Sequence, residues 1–169
     1  MNTIGLIYPS KEHEECAVEY LKEHIDHGEP RLNGDSGLDS ARDYDEWLNK
    51  IEKMMTGGPI RSHIFFAIKK SDKKLVGTIN IRYPYEGFVK EHGHIGYGIR
   101  PSERRKGYAT AMLNLALEFC RRLELEEVLL TCYKSNLGSA RTIMKCGGVF
   151  ESESMLEDGD ILQRYWITL

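Results

Sequence analysis

The feature that most constrains this chain is a strand-like run that meets a helix across a basic turn. Residues His92 to Arg100 read as a strand. Lys106 to Leu123 reads as an amphipathic helix with Met112, Leu115, Ala116, Phe119 and Leu123 on one face, and Val128 to Tyr133 as a short buried strand. A strand–helix–strand unit of this kind calls for a parallel crossover. The turn itself, Arg104-Arg105-Lys106-Gly107-Tyr108-Ala109-Thr110, also has the makings of an anion site. First-turn N–H groups lack intrahelical partners, and the helix dipole adds positive potential there. Gly107 lets the backbone approach a ligand closely. Three cations at a helix N-terminus oppose the dipole unless an anion is present, so the turn predicts a phosphate cradle over an ordinary solvated helix start.

The elements on either side fill out one domain over residues 1–169. Ile4 to Tyr8 reads as a first strand, and Lys11 to His27 as a helix after the candidate N-cap Ser10. Gly28 to Gly37 is a loop. A second helix is expected from about Ser40 to Met55, stopped by Gly57-Gly58-Pro59. Strands follow at His63 to Lys69 and Leu75 to Arg82, and a loop through Pro84 to Gly87 leads back to the central motif. Asn136 to Cys146 is helical, and strands near Val149 to Ser154 and Ile161 to Leu169 form a hairpin about Glu157-Asp158-Gly159. The predicted order β, α, α, β, β, β, α, β, α, β, β describes a mixed α/β (α+β) domain. Its central sheet has about seven mostly antiparallel strands with flanking helices.

Charge narrows the partners. A net charge of −3 argues against a dedicated nucleic-acid binder. Locally, Lys11 to Lys53 carries 13 acids against 6 Lys and Arg, while Arg100 to Arg122 carries six cations against two acids. An anion near the second segment and a cationic or neutral ligand near the first fit that asymmetry. The acids Asp39, Asp43, Asp45 and Glu46 read as a solvated helix face or as an attractor for an amine. The four cysteines lack C-x-x-C spacing, so neither a zinc site nor a disulfide frame is indicated and no metal is expected. Without a basic, apolar leader or a membrane-length apolar run, the expectation is a cytoplasmic protein with no membrane partner.

Two stretches carry a resemblance. His94-Ile95-Gly96-Tyr97-Gly98-Ile99-Arg100, followed by the basic turn, resembles motif A of the GNAT superfamily of acyl-CoA-dependent N-acyltransferases. Its Arg/Gln-x-x-Gly-x-Gly/Ala signature falls on Arg104, Gly107 and Ala109. Asn136 to Gly148, with Ser139, Arg141 and Lys145, resembles motif B. The Ser and Arg placement is most similar to the branch that acetylates protein N-termini, the ribosomal-protein type, and its bacterial relatives. The resemblance implies a single-domain GNAT fold and acetyl-CoA as co-substrate. It further implies that the backbone from Arg104 through Arg105, Lys106, Gly107, Tyr108, Ala109 and Thr110 binds the pyrophosphate. The main chain at Gly98, Ile99 and Arg100 would run beside the pantetheine, with Asn136 and Ser139 near the cofactor and its sulfur.

The residues themselves add chemistry to this picture. Gly96 and Gly98 bare one face of the strand, either for a ligand lying along it or for close packing of a neighbour. Backbone N–H groups near Gly98 and Ile99 are candidate oxyanion donors. His94, with an ordinary pKa of about 6.5, is the candidate general base, and a hydrogen-bonded structural histidine is the alternative. Many relatives carry a Tyr on the helix after the motif-B Asn, where this chain has Ile143 and Met144. Ser139 is the candidate proton relay or else a helix-start hydroxyl, with Tyr97 and Tyr133 in reserve. The expected reaction is direct acetyl transfer from the thioester to a primary amine of a small molecule or peptide. The alternative is a non-catalytic acetyl-CoA sensor on the same fold. A nucleotide hydrolase is disfavoured, since neither G-x-x-x-x-G-K-[ST] nor G-x-G-x-x-G occurs. The acceptor and the oligomeric state are left open, a homodimer included.

Overall fold

Alternating apolar residues on two long strands build the centre of the molecule. In β2 (Arg61–Lys69) and β3 (Leu75–Tyr83) both faces are buried, so each strand feeds two cores. Phe65, Ala67, Ile79 and Ile81 join one core; Ile64, Phe66 and Leu75 join the other. The computed structural model describes residues 3–169, so the first two positions of the expected domain lie outside the described residues. The other strands are β1 (Ile4–Ile7), β4 (Ile95–Ile99), β5 (Glu127–Tyr133), β6 (Val149–Met155) and β7 (Ile161–Thr168).

Among the described residues five α-helices surround these strands. α1 (Glu14–Asp26) and α2 (Tyr44–Thr56) cover one face of the β2–β3 sheet, where Ala17, Tyr20, Trp47 and Ile51 are buried. The other face takes α4 (Tyr108–Arg122), whose deepest residues Met112, Leu113, Ala116, Leu117 and Cys120 follow helical spacing. α5 (Leu137–Lys145) flanks β5. α3 (Phe88–His92) is a single short helix in the β3–β4 connection that the sequence reading treats as loop and strand. The helix expected from Ser40 begins at Tyr44, because Asp43 caps it by accepting the Glu46 N–H at 2.8 Å. No helix among the described residues is long and apolar enough to cross a membrane.

The seven strands form two antiparallel sheets, ordered β1-β2-β3-β4 and β5-β7-β6. The parallel pairing expected between the strands flanking α4 is absent as a ladder. β4 and β5 touch at one end only, through His94 N–H to Leu129 O at 2.7 Å, Thr131 Oγ1 to His92 O at 3.0 Å and a bridge between Gly93 and Leu130. The His94 N–H turns toward β5 while its carbonyl accepts the Arg82 N–H at 2.7 Å, so the backbone kinks there. Past that kink the two strands part, and the gap between them is where the site lies.

Candidate active site

The gap opens into a cavity of about 1090 Å³. One wall is β4, the other is β5 and α5, and the phosphate-type turn closes one end. The register Gly77↔Ile99 to Ile81↔Ile95, with Arg100 N–H bonded to Val76 O at 2.8 Å, turns the even-numbered peptide groups toward β3. Alternation then aims the N–H and C=O of Tyr97 and Ile99 into the gap. A second groove of equal volume runs along α2, past Arg42, Asp43, Glu46 and Lys50. Its charges sit on solvated side chains remote from the turn, and we assign it no chemistry.

At the closed end, α4 begins one residue after Gly107, which adopts φ +84 and carries no side-chain cap. The first helical bond is Ala111 N–H to Gly107 O, so the N–H groups of Tyr108, Ala109 and Thr110 have no intrahelical partner, and these residues line the cavity. The cradle is present, yet its cations differ from expectation. Arg104 is bidentate to Glu29, with Nη1 at 2.8 Å from Oε1, and its Nε donates to Ile99 O at 3.2 Å. Lys106 does not line the cavity and pairs at 3.0 Å with Glu103, a buried carboxylate also held by Lys74. Carboxylates of the chain thus offset two of the three charges, and only Arg105 has no ion pair among the described residues. The cation argument from the dipole is corrected accordingly. Two cations of the motif-B stretch to which the sequence assigned no ligand, Arg141 and Lys145, line the same end from α5, one turn apart. That i, i+4 spacing was the available signal.

Three further expectations are corrected. Arg100 lies outside the cavity: it is 4 % exposed, its Nε donates to Glu23 Oε2 at 2.6 Å, and its Nη1 to Leu75 O at 3.1 Å. Burial pushes Glu23 up, but the Ser102 N–H and Arg100 outweigh it and hold the carboxyl down at about 2. Gly98 lines the cavity, but its side-chain face is not bare, since a Cβ there would sit 2.8 Å from Asn33 O. The chain's own loop fills the space, and Thr78 Oγ1 donates to Asn33 O at 2.7 Å. The Gly98 peptide also points to β3, which leaves Ile99 and Tyr97 as the backbone donors facing the gap.

The third correction removes His94 as general base. It is 2 % exposed, off the cavity wall, and its Nδ1 accepts the Leu129 N–H at 2.8 Å. A neutral ring bonded in that way carries its proton on Nε2 and has no free lone pair to take another. Burial, then Arg82, depresses its pKa to about 4. Tyr85 stacks on it at 5.5 Å and Trp166 lies 6.2 Å away, so His94 serves to pin β4 to β5.

Motif B folds as expected, with one addition. Asn136 caps α5 by accepting the Ser139 N–H at 3.0 Å, and both residues line the cavity. The Ser139 hydroxyl lies 3.0 Å from the Tyr97 hydroxyl, which reaches across the gap from β4. The motif-B helix carries Ile143 and Met144 rather than a Tyr, and the phenol beside Ser139 comes from the opposite wall. Burial raises the Tyr97 pKa to about 12 against the lowering effect of Ser139, so it stays protonated near neutrality.

The opposite end of the cavity is built by residues that sequence reading did not single out. Asp35 is 5 % exposed; its Oδ2 accepts the Gly37 N–H at 3.0 Å, and no hydrogen bond engages its other oxygen. Burial, then Asp39, raises its pKa. Ser36, Asn80 and Arg82 continue the wall, with Asn80 Nδ2 donating to Ser36 Oγ at 3.0 Å and Asn80 Oδ1 accepting the Gly96 N–H at 3.0 Å. Among the described residues no group of three or more His, Cys, Asp or Glu could hold a metal.

Comparison with known proteins bears on the fold and the family. Residues 4–149 match the sequence profile of the Acetyltransferase (GNAT) domain. Among solved structures, Mycobacterium smegmatis RimJ in complex with CoA-disulfide superposes with a TM-score of 0.77 at 21% identity, covering 99% of this chain and 82% of that one. Ribosomal-protein-S5-alanine acetyltransferase from Vibrio fischeri gives 0.75 at 16% identity, covering 98% and 91%. Spermidine N-acetyltransferase from Vibrio cholerae gives 0.68 at 16%, covering 98% and 93%. At these identities the likeness shows the fold. A search of curated proteins returns no match.

Proposed function

The chain belongs to the GNAT acetyltransferase family, and from that premise we propose that it moves an acetyl group from acetyl-CoA directly to a primary amine. The observation that carries this reading is the alignment of three parts along one gap. These are the unpaired N–H groups of Tyr108 to Thr110, the N–H groups of Tyr97 and Ile99 along the edge of β4, and the Tyr97–Ser139 hydroxyl pair between the walls. Bound there, acetyl-CoA would supply an activated acetyl group and a stable thiolate leaving group.

The chain's own groups then divide the work. Tyr108, Ala109 and Thr110 N–H, with Arg105, Arg141 and Lys145, would hold the phosphates. The Ile99 N–H would anchor the arm as an added strand does, and the Tyr97 N–H would donate to the carbonyl oxygen as charge develops. Ser139, backed by the protonated Tyr97, would donate a hydrogen bond to the departing sulfur. Asp35 replaces His94 as the group that takes the amine's proton. It lines the cavity, keeps one oxygen unbonded, and is moved by burial toward neutral pH. Holding both substrates in line would supply the largest share of the rate.

The test is thiol release from acetyl-CoA with a panel of amines: peptides with free N-termini, amino acids and polyamines. Release that requires an amine and yields the N-acetyl product supports the reading. Tight acetyl-CoA binding with no release on any acceptor would replace it with a sensor.

A further inference from the structure

Four cations lining the cavity, Arg82, Arg105, Arg141 and Lys145, form no ion pair among the described residues, and of these Arg82 alone has a buried nitrogen without a partner. Arg82 lines the end away from the phosphate turn. Of its five N–H donors, a single hydrogen bond is formed, from Nη2 to His92 O at 3.4 Å. Its Nε is buried without any partner, and no carboxylate among the described residues forms an ion pair with it. Phe88 offers only its ring face, 5.0 Å from the guanidinium carbon. Burial accordingly drags the Arg82 pKa down to about 10. A half-buried guanidinium with a sealed, unpartnered Nε and no counter-charge is costly to keep in a folded protein, and a ligand carboxylate would relieve that cost through its matching fork geometry.

The position of Arg82 decides which substrate brings the anion. Arg82 lies just beyond the Ile81↔Ile95 pair, whereas the phosphate turn follows Ile99. The two ends of β4 are about 13 Å apart at ordinary strand rise, with Tyr97 midway. The donor's phosphates belong at the far end, so the missing anion belongs to the acceptor. The wall beside Arg82 is shaped for it: a Cβ on Gly96 would sit 3.5 Å from Arg82 Nη2 and 2.9 Å from Asn80 Oδ1, so the glycine keeps this corner open. One guanidinium with most of its donors free matches a single negative charge better than a phosphate dianion. Along the same wall, Asn80 leads through Ser36 to Asp35, which suits a cationic amine.

Resting on the acetyl-transfer reading, we infer that the acceptor is an amine carrying a carboxylate near its amino group, held by Arg82, and that polyamines are excluded. The carboxylate comes either from a free amino acid or from an acidic side chain near a peptide N-terminus, and matched probes separate the two. Serine is compared with serine amide, and a Ser-Glu peptide amide with its Ser-Gln counterpart, with spermidine as the cationic probe. Thiol release gives kcat/KM for each. Calorimetric titration of the same probes into CoA-saturated protein gives affinities that need no turnover. In at least one pair the carboxylate member is expected to be favoured about tenfold or more, and Arg82→Gln should bring that ratio to near one. The pair that responds names the source.

Ratios near one in both pairs, a preference for spermidine, or an equal loss for both members in Arg82→Gln would overturn the inference. Arg82→Gln should keep or raise the unfolding temperature, since it removes a half-buried, unpaired charge. A fall would assign Arg82 to holding the α3 segment and would also overturn it. If no probe releases thiol, the acetyl-transfer reading fails, while the calorimetric ratios still decide the role of Arg82.

Discussion

The loop Asn33–Ser36 is packed against β4, and replacing Gly34 with Ala measures how tightly. Gly34 has φ +74, and a Cβ would lie 2.6 Å from Gly96 O, 2.6 Å from Thr78 O and 2.7 Å from the Tyr97 Cα. All three are backbone atoms of paired strands, so neither side yields cheaply. Gly28 has the same φ of +74 with nothing within 4 Å, and is the control. Gly28→Ala should cost only the left-handed strain, about 1 kcal/mol. Gly34→Ala adds overpacking of about 1–3 kcal/mol, for about 2–4 in total. At about 2–4 °C per kcal/mol for a chain of this length, the control should lose a few degrees and Gly34→Ala roughly 5–15 °C. Thermal and urea unfolding, both followed by tryptophan fluorescence, are the assays. Trp47 is fully buried and its Nε1 donates to Asp35 O at 2.8 Å, so it reports on the loop directly. Equal losses in the two variants, with unchanged m-values, would refute the packing argument.

Other outcomes follow from the same contacts. Tyr97→Phe and Ser139→Ala should each lower kcat about tenfold, and the double variant should lose little more, because both act on one leaving sulfur; full additivity would show that the hydroxyls do not work as a pair. Asp35→Asn, which keeps the loop's hydrogen bonds, should lower kcat/KM about 100-fold near neutrality. It should also remove the acidic limb on which activity rises as Asp35 deprotonates, and an unchanged pH–rate profile would exclude it as the base. Glu23→Gln should cost about 3 kcal/mol at pH 7, since it leaves Arg100 buried without its partner charge. Glu23 is held below its unfolded value of 4.5, so its contribution is complete above that pH and is lost as pH falls toward about 2. The stability gap between wild type and Glu23→Gln should therefore narrow over that window in urea titrations, and a constant gap would contradict the assignment.

Much of the local structure was legible because neighbours in the chain determine it. The helix following Gly107, the Asn136 cap and the apolar stripe of α4 all depend on residues within a few positions of one another. Seven strands were expected and seven are present. Boundaries slipped where a cap decided them, as at Asp43. The short α3 helix was missed for want of any amphipathic repeat.

The site divided differently. Residues Arg104 to Thr110 announced unpaired N–H groups at a helix start by sequence alone, because these follow from geometry that any such turn shares. Which cations remain free for a ligand was settled by Glu29 and Glu103, and only folding brings Glu29 to the turn. Gly96 and Gly98 promised an open strand face without saying what would fill it; at Gly98 the answer is Asn33, some 65 positions earlier in the chain. His94 looked like a base until the Leu129 N–H took its lone pair. Tyr97 stood only in reserve behind Ser139 until folding brought the two hydroxyls together. Local sequence determines which backbone groups are left unpaired and which side chains carry useful chemistry. Which of them end up desolvated, paired or facing the cavity depends on contacts between distant segments, and those exist only once the sheet has split and the loop has closed over it.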